Sequence, residues 1–127
     1  MAYEQMLRPV GLPANGDLTS GGTVNPQFLF AVMTATGLAI AGAGVASVGV
    51  IQDKPNAAGV ESEVAVVGQI SKVVAGAAVN EGDQIMSNSS GQGITATTGN
   101  FVNGFALAAA SGAGMIIPVL LTGPYKI

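Results

Sequence analysis

The stretch AAVNEGDQIMSNSSGQGITATTG, residues 77–99, gathers most of the side chains that have the means to bind or react: two carboxylates, a cluster of hydroxyls and several glycines. Alternating oxygen ligands after Asp83 would suit a calcium loop, but Ile85 interrupts the series and no glutamate closes it. Gly82 between Glu81 and Asp83 suits a tight turn that needs positive φ. Asn88, Ser89, Ser90 and Gly91 are residues whose side chains cap turns locally. The segment reads as a chain turning corners, with no metal ligand set.

Other motifs fail in the same way. IAGAGVASVG spaces Gly42 and Gly44 like a dinucleotide fingerprint, with Ser47 in the third glycine's place. That chemistry needs a following helix whose amino end receives the pyrophosphate, and Pro55 arrives too soon for one. Close strand packing with little side-chain bulk explains the glycines. Glu61 and Glu63 share one strand face, but acid–base work requires environments that separate their pKa values, and only Ser62 and small apolar residues flank them. Ser71 and Lys72 fall on opposite faces of a strand and form no nucleophile–base pair. With no histidine and no cysteine, the commonest general base and metal ligands are missing, as are disulfides. The sequence points to no enzyme, no catalytic residue, no metal and no cofactor.

The elements around these residues are strands. At 127 residues the chain suits one domain with a real core. Residues 1–26 contain three prolines and four glycines without periodicity and read as an extended N-terminal arm, ordered where something holds it. Residues 27–127 read as a single β-rich domain. FLFAVMT is apolar on both faces, as in a strand buried on two sides. In VESEVAVVGQISKVV, Glu61 and Glu63 point one way while Val60, Val64, Val66 and Ile70 point the other, with Gly68 marking a bulge or close approach. QIMS, GITAT, FVNGFALAA and MIIPVLL follow between turn signals. FALAAA also fits a helical turn capped by Gly112. Pro118 points to an edge or bulged strand. No internal repeat stands out. The spacing predicts a mainly β chain, a small barrel or sandwich-like domain with little or no helix.

Composition bears on partners. Apolar residues make up 49 % of the chain against only four basic and seven acidic ones, so the surface has few charges to keep molecules apart and suits coverage by partners. The net charge is −3 and the cations Arg8, Lys54, Lys72 and Lys126 are scattered, which disfavours nucleic acid. Leu18–Gln52 carries no charge, yet its glycines make a poor helix, and it has no basic or aromatic flank to fix it in a bilayer. Glu4 sits where a secretory signal would be positive. No membrane partner is expected.

The segments LPANGDLTSGG, GVASVGVIQDKPNAAG, VAVVGQISKVVAGAAVNEGDQIMSNSSGQGITATTG and NGFALAAASGAGMIIPVLL, in this order from Leu12 to Leu121, resemble the head-decoration, or capsid cement, proteins of tailed bacteriophages. The arm's first residues and the stretch from Val24 to Ala35 match that pattern least. The resemblance implies a β-rich homotrimer on the outer surface of an icosahedral virion head, assembled in the host cytoplasm. Its partners would be itself and the major capsid protein, whose neighbouring copies it clamps against the pressure of packaged DNA. For the arm, the expected mode is strand addition to an exposed capsid edge, with Tyr3, Leu7, Arg8, Pro9 and Leu12 as the contact residues. Two rival readings remain at this level. One is an adhesive or glycan-binding surface module, which lacks tryptophan and has only Tyr3 and Tyr125 as phenols. The other is a lipoyl- or biotinyl-like carrier domain with Lys54 as the modified lysine, against which Pro55 and the long interval from Gly68 to Gly82 speak.

Overall fold

Glycines and prolines between short apolar runs resolve into ten strands in the computed structural model, which describes residues 9–127. They are β1 (Val10–Pro13), β2 (Phe30–Thr34), β3 (Gly37–Ile40), β4 (Gly49–Ile51) and β5 (Glu61–Ala65), then β6 (Ile70–Val74), β7 (Gln84–Ser87), β8 (Gly93–Thr95), β9 (Phe101–Ala106) and β10 (Ile116–Lys126). No helix occurs among the described residues. The strands form two five-stranded antiparallel sheets, ordered β1-β5-β4-β2-β3 and β6-β10-β9-β7-β8. Neither sheet closes into a barrel; the architecture is sandwich-like, as the spacing of the strands led us to expect. No helix in the described residues is long and apolar enough to cross a membrane, and the uncharged 18–52 stretch supplies β2, β3 and β4.

The two strand orders are the same order, displaced by five strands. The correspondence extends to single hydrogen bonds. An isolated parallel bridge joins Ala14 to Leu38 in the first half and Ala75 to Gly93 in the second; an antiparallel one joins Asp17 to Asn56 and Val79 to Ala110. Ala14 N–H donates to Val60 O (2.9 Å) as Ala75 N–H donates to Met115 O (2.7 Å), and Gln52 N–H to Glu63 O as Leu107 N–H to Pro118 O. Matching these pairs superposes Ala14 on Ala75, Ala41 on Ala96, Gly49 on Gly104, Gly59 on Gly114 and Val64 on Val119. The chain is a structural duplication that the sequence does not announce.

Each half has an inner face. In the first, Ala14, Leu18, Ala31, Leu38, Ile51 and Val64 form one buried cluster. In the second, Val73, Ile85, Val119 and Leu121 belong to a larger cluster that also takes in Phe30, Val50 and Ala65 from the opposite face of the first sheet. The first sheet is thus packed on both faces along part of its length, the second on one. Burial of apolar area on this scale is the main driving force for the fold.

Several local expectations change in the folded chain. The run 28–34 is buried only at Leu29, Phe30 and Ala31; Met33 and Thr34 are exposed, and Phe28 and Leu29 precede the strand. Glu61 and Glu63 are exposed opposite buried Ser62 and Val64, as the alternation requires. Val60 and Ile70, expected to point inward, are 40 % and 64 % exposed. For Ile70 the reason is Gly68 (φ 90°), which makes the turn that carries the chain from one sheet to the other and so resets the phase, whereas Val60 lies before β5 begins at Glu61. FALAAA contains no helical turn: Phe105 and Ala106 end β9. Pro118 lies in a central strand, since β10 runs between β6 and β9; the strand's register shift comes later, between Leu121 and Tyr125. A proline is tolerated there because its carbonyl, accepting from Leu107, faces the point where β9 has ended, so the ladder lacks no donor.

Candidate functional site

The stretch 77–99 is spent on its own turns. Gly82 has φ 87°. Asp83 Oδ2 accepts from Asn80 N (2.9 Å) and Thr95 Oγ1 (3.0 Å), and Asn88 Oδ1 accepts from Ser90 N (2.9 Å) and Gln92 N (3.0 Å). These are local caps on hairpin corners. Gly42 and Gly44 lie on the connection between β3 and β4, where no helix follows; a Cβ on Gly44 would collide with Asn100. Ser71 is buried and accepts from Gln52 Nε2 (2.8 Å), while Lys72 points outward with its amine 5.8 Å from the Phe28 ring centroid. The two do not meet.

Two open grooves share Thr23, Val24 and Asn25. One, of about 380 Å³, is completed by Thr19, Gly22, Lys54 and Asn56. The other, of about 450 Å³, is lined further by Leu29, Val74, Ser90, Gln92 and Ile116. The turn holding Lys54 is stitched to the 17–25 segment, since Leu18 N–H donates to Pro55 O. Above it Asp17 accepts from Thr19 N and Gly21 N at 2.9 Å each and from Thr19 Oγ1. The Thr19 hydroxyl first, and then the two backbone N–H groups, hold its carboxyl below the ordinary range.

The arm residues divide. Tyr3, Leu7 and Arg8 lie outside the described residues. Pro9 is exposed. Leu12 sits in β1, pairs with Ser62 and packs half-buried against the first half's own core. From Val10 onward the segment read as an arm is extended and held by β5, with Ala14 and Leu18 buried.

A further apolar surface is one that sequence reasoning missed. On the outward face of the second sheet, β6 contributes Ile70, Lys72 and Val74, and β10 places Leu120, Pro118 and Ile116 directly opposite them. Ile70 is 64 % and Ile116 52 % exposed, with Leu107 beside Pro118 at 40 %. Such an apolar face with a single charge in it is the kind of surface that partners cover. The signal in the sequence was Ile–Ile–Pro–Val–Leu–Leu at 116–121, apolar at every position, where a half-solvated strand would alternate.

The family model for phage cement protein matches residues 12–121, spanning both halves of the duplication. No curated protein matches the chain.

Proposed function

The chain belongs to the phage cement protein family, and from that premise we propose that it trimerises on the outer surface of an icosahedral phage head and clamps neighbouring major capsid proteins together. The family supports a capsid-decoration role on the virion; the oligomer, the outer position and the clamp are the finer reading. The observation that carries it is the match over nearly all of both five-stranded halves. The role needs no reacting group. Its physics is added contact area across capsomer boundaries, so that pressure from inside must break more contacts before the shell opens.

The arm adds backbone hydrogen bonds to a capsid strand edge in this reading, through Tyr3, Leu7, Arg8 and Pro9, with Leu12 as the point where it joins the domain. Because β1 begins at Val10, the informative truncation removes residues 2–8 and leaves the sheet intact. The test is to add the full chain and the truncated chain to emptied, expanded heads lacking the protein, and to image them. The expected result is density at the three-fold positions for the full chain and little for the truncated one. Bare shells with the full chain would overturn the proposed function, and equal occupancy by both would overturn the arm's part in it.

A further inference from the structure

The duplication supplies an internal control for the outward face of the second sheet. The same backbone surface occurs twice, with Gly11, Glu61 and Glu63 at the positions that Lys72, Ile116 and Pro118 fill in the second half. Glu61 and Glu63 are exposed, so this fold is content to solvate these positions. The apolar residues at 116 and 118 therefore answer to something outside the half that bears them. Further along the same face, Val50 and Ala65 of the first half are buried by the second half, whereas their counterparts Phe105 and Leu120 remain partly open.

Lys72 identifies what comes to this face. It stands between Ile70 and Val74 and opposite Pro118, and an amine brought into an apolar contact needs an anion there. The chain has such an anion on the matching surface. Glu61 and Glu63 lie on one exposed face of β5, and Gly11 beside them leaves that face low, its missing Cβ only 3.3 Å from the Glu61 carboxyl. We propose that a second copy of this chain covers the second sheet, laying its Glu61–Glu63 face against Lys72, Ile116 and Pro118. The two contacting faces differ, so every copy offers one of each. A head-to-tail contact of this kind closes into a ring when the rotation allows. This inference rests on the reading that copies of the chain associate, and it assigns the surface by which they do so.

The test is charge reversal followed by light scattering and, separately, by binding to emptied heads. K72E and the double variant E61K/E63K should each weaken self-association by about tenfold or more, and K72E/E61K/E63K, which restores opposite charges, should recover it. All substituted side chains are exposed, and unchanged thermal unfolding of the isolated chains checks that the fold survives. An oligomer indifferent to both reversals would overturn the inference and leave the trimer standing. So would loss of head binding by K72E with the oligomer intact, which would give this face to the capsid. A wild-type chain that stays single at high concentration would overturn the inference and the proposed trimer together.

Discussion

Phe28 occupies in the first half the backbone position that Gly82 occupies in the second. Phe28 N–H donates to Ile51 O (2.6 Å) and Gly82 N–H to Ala106 O (2.7 Å), and both residues lie at positive φ, 69° and 87°. The turn demands a left-handed conformation, which costs a side-chain-bearing residue roughly 1–2 kcal/mol. Phe28 is kept because its ring packs against the larger core cluster, under the Lys72 amine, and because its carbonyl accepts from Val74 of β6 (3.0 Å), tying the two sheets together.

The usual order of glycine and alanine should therefore reverse at this position. F28A loses the ring and keeps the strain, while F28G loses the ring and releases it. Both variants should be less stable than wild type by about 2 kcal/mol or more, since a packed aromatic ring is lost. F28A should be the worse by about 1 kcal/mol. Urea unfolding of the two side by side checks this, and equal or opposite ordering would refute the strain.

Gly49 and Gly104 form a second matched pair, on β4 and β9. A Cβ at Gly49 would sit 2.0 Å from Ala65 O, and one at Gly104 would sit 2.6 Å from Leu120 O. Both obstacles are backbone of the neighbouring strand, which cannot swing aside as a side chain can. G49A and G104A should each cost about 3 kcal/mol or more, at or above the upper range for overpacking. Thermal unfolding of both variants would show losses of similar size in the two halves.

How much of this was readable beforehand follows from what repeats in the sequence and what does not. The alternation at Glu61–Val64 and the turn chemistry of Gly82 and Asn88 fixed strands and corners correctly, because those signals are local. The duplication was hidden. Its matched residues, such as Ala14 with Ala75 or Val64 with Val119, are small and common, and loops of unequal length separate them. Faces that match in space carry opposite chemistry, as Glu61 and Ile116 do. Pro118 pointed to an edge or bulged strand; β10 is not an edge, though its register shifts after Leu121, and the proline is tolerated because its neighbouring strand ends there, a tertiary fact. The apolar outer face was invisible for a related reason: sequence shows that a strand is apolar throughout, but not that none of the described residues covers the second side.

Asp17 gives a pH signature to the turn that follows β1. Its carboxylate accepts the bonds from Thr19 and Gly21, and its pKa is lowered as a result. A depressed native value means the stabilisation is fully present above the unfolded pKa, near 4, and is lost as pH falls through the native one. The stability gap between wild type and D17A should therefore be constant near neutrality and shrink below about pH 4. Because the site is exposed, the gap itself is small and falls with salt. A gap that widened on acidification would contradict the assignment.

Glu63 and Pro118 are equivalent residues that deal with the same backbone problem in opposite ways. At both positions the neighbouring strand has ended, so a backbone N–H there would have no ladder partner. In the first half Asp53 supplies one: its Oδ2 accepts from Glu63 N (3.0 Å) while its other oxygen accepts from the buried Ser62 hydroxyl. In the second half Ala108 follows Leu107 where Asp53 follows Gln52, and the donor is absent because the residue is proline. Removing Asp53 alone strands two donors, so D53A should cost about 1–3 kcal/mol. E63P deletes one of those donors, and because both polar groups of Glu63 face the loop, the pairing with β1 is spared. The proline should therefore cost less in the D53A background than in wild type, with a coupling of about 1 kcal/mol between the two sites. A double-mutant cycle by denaturant unfolding measures that coupling, and strict additivity would show that the carboxylate does not serve the Glu63 N–H.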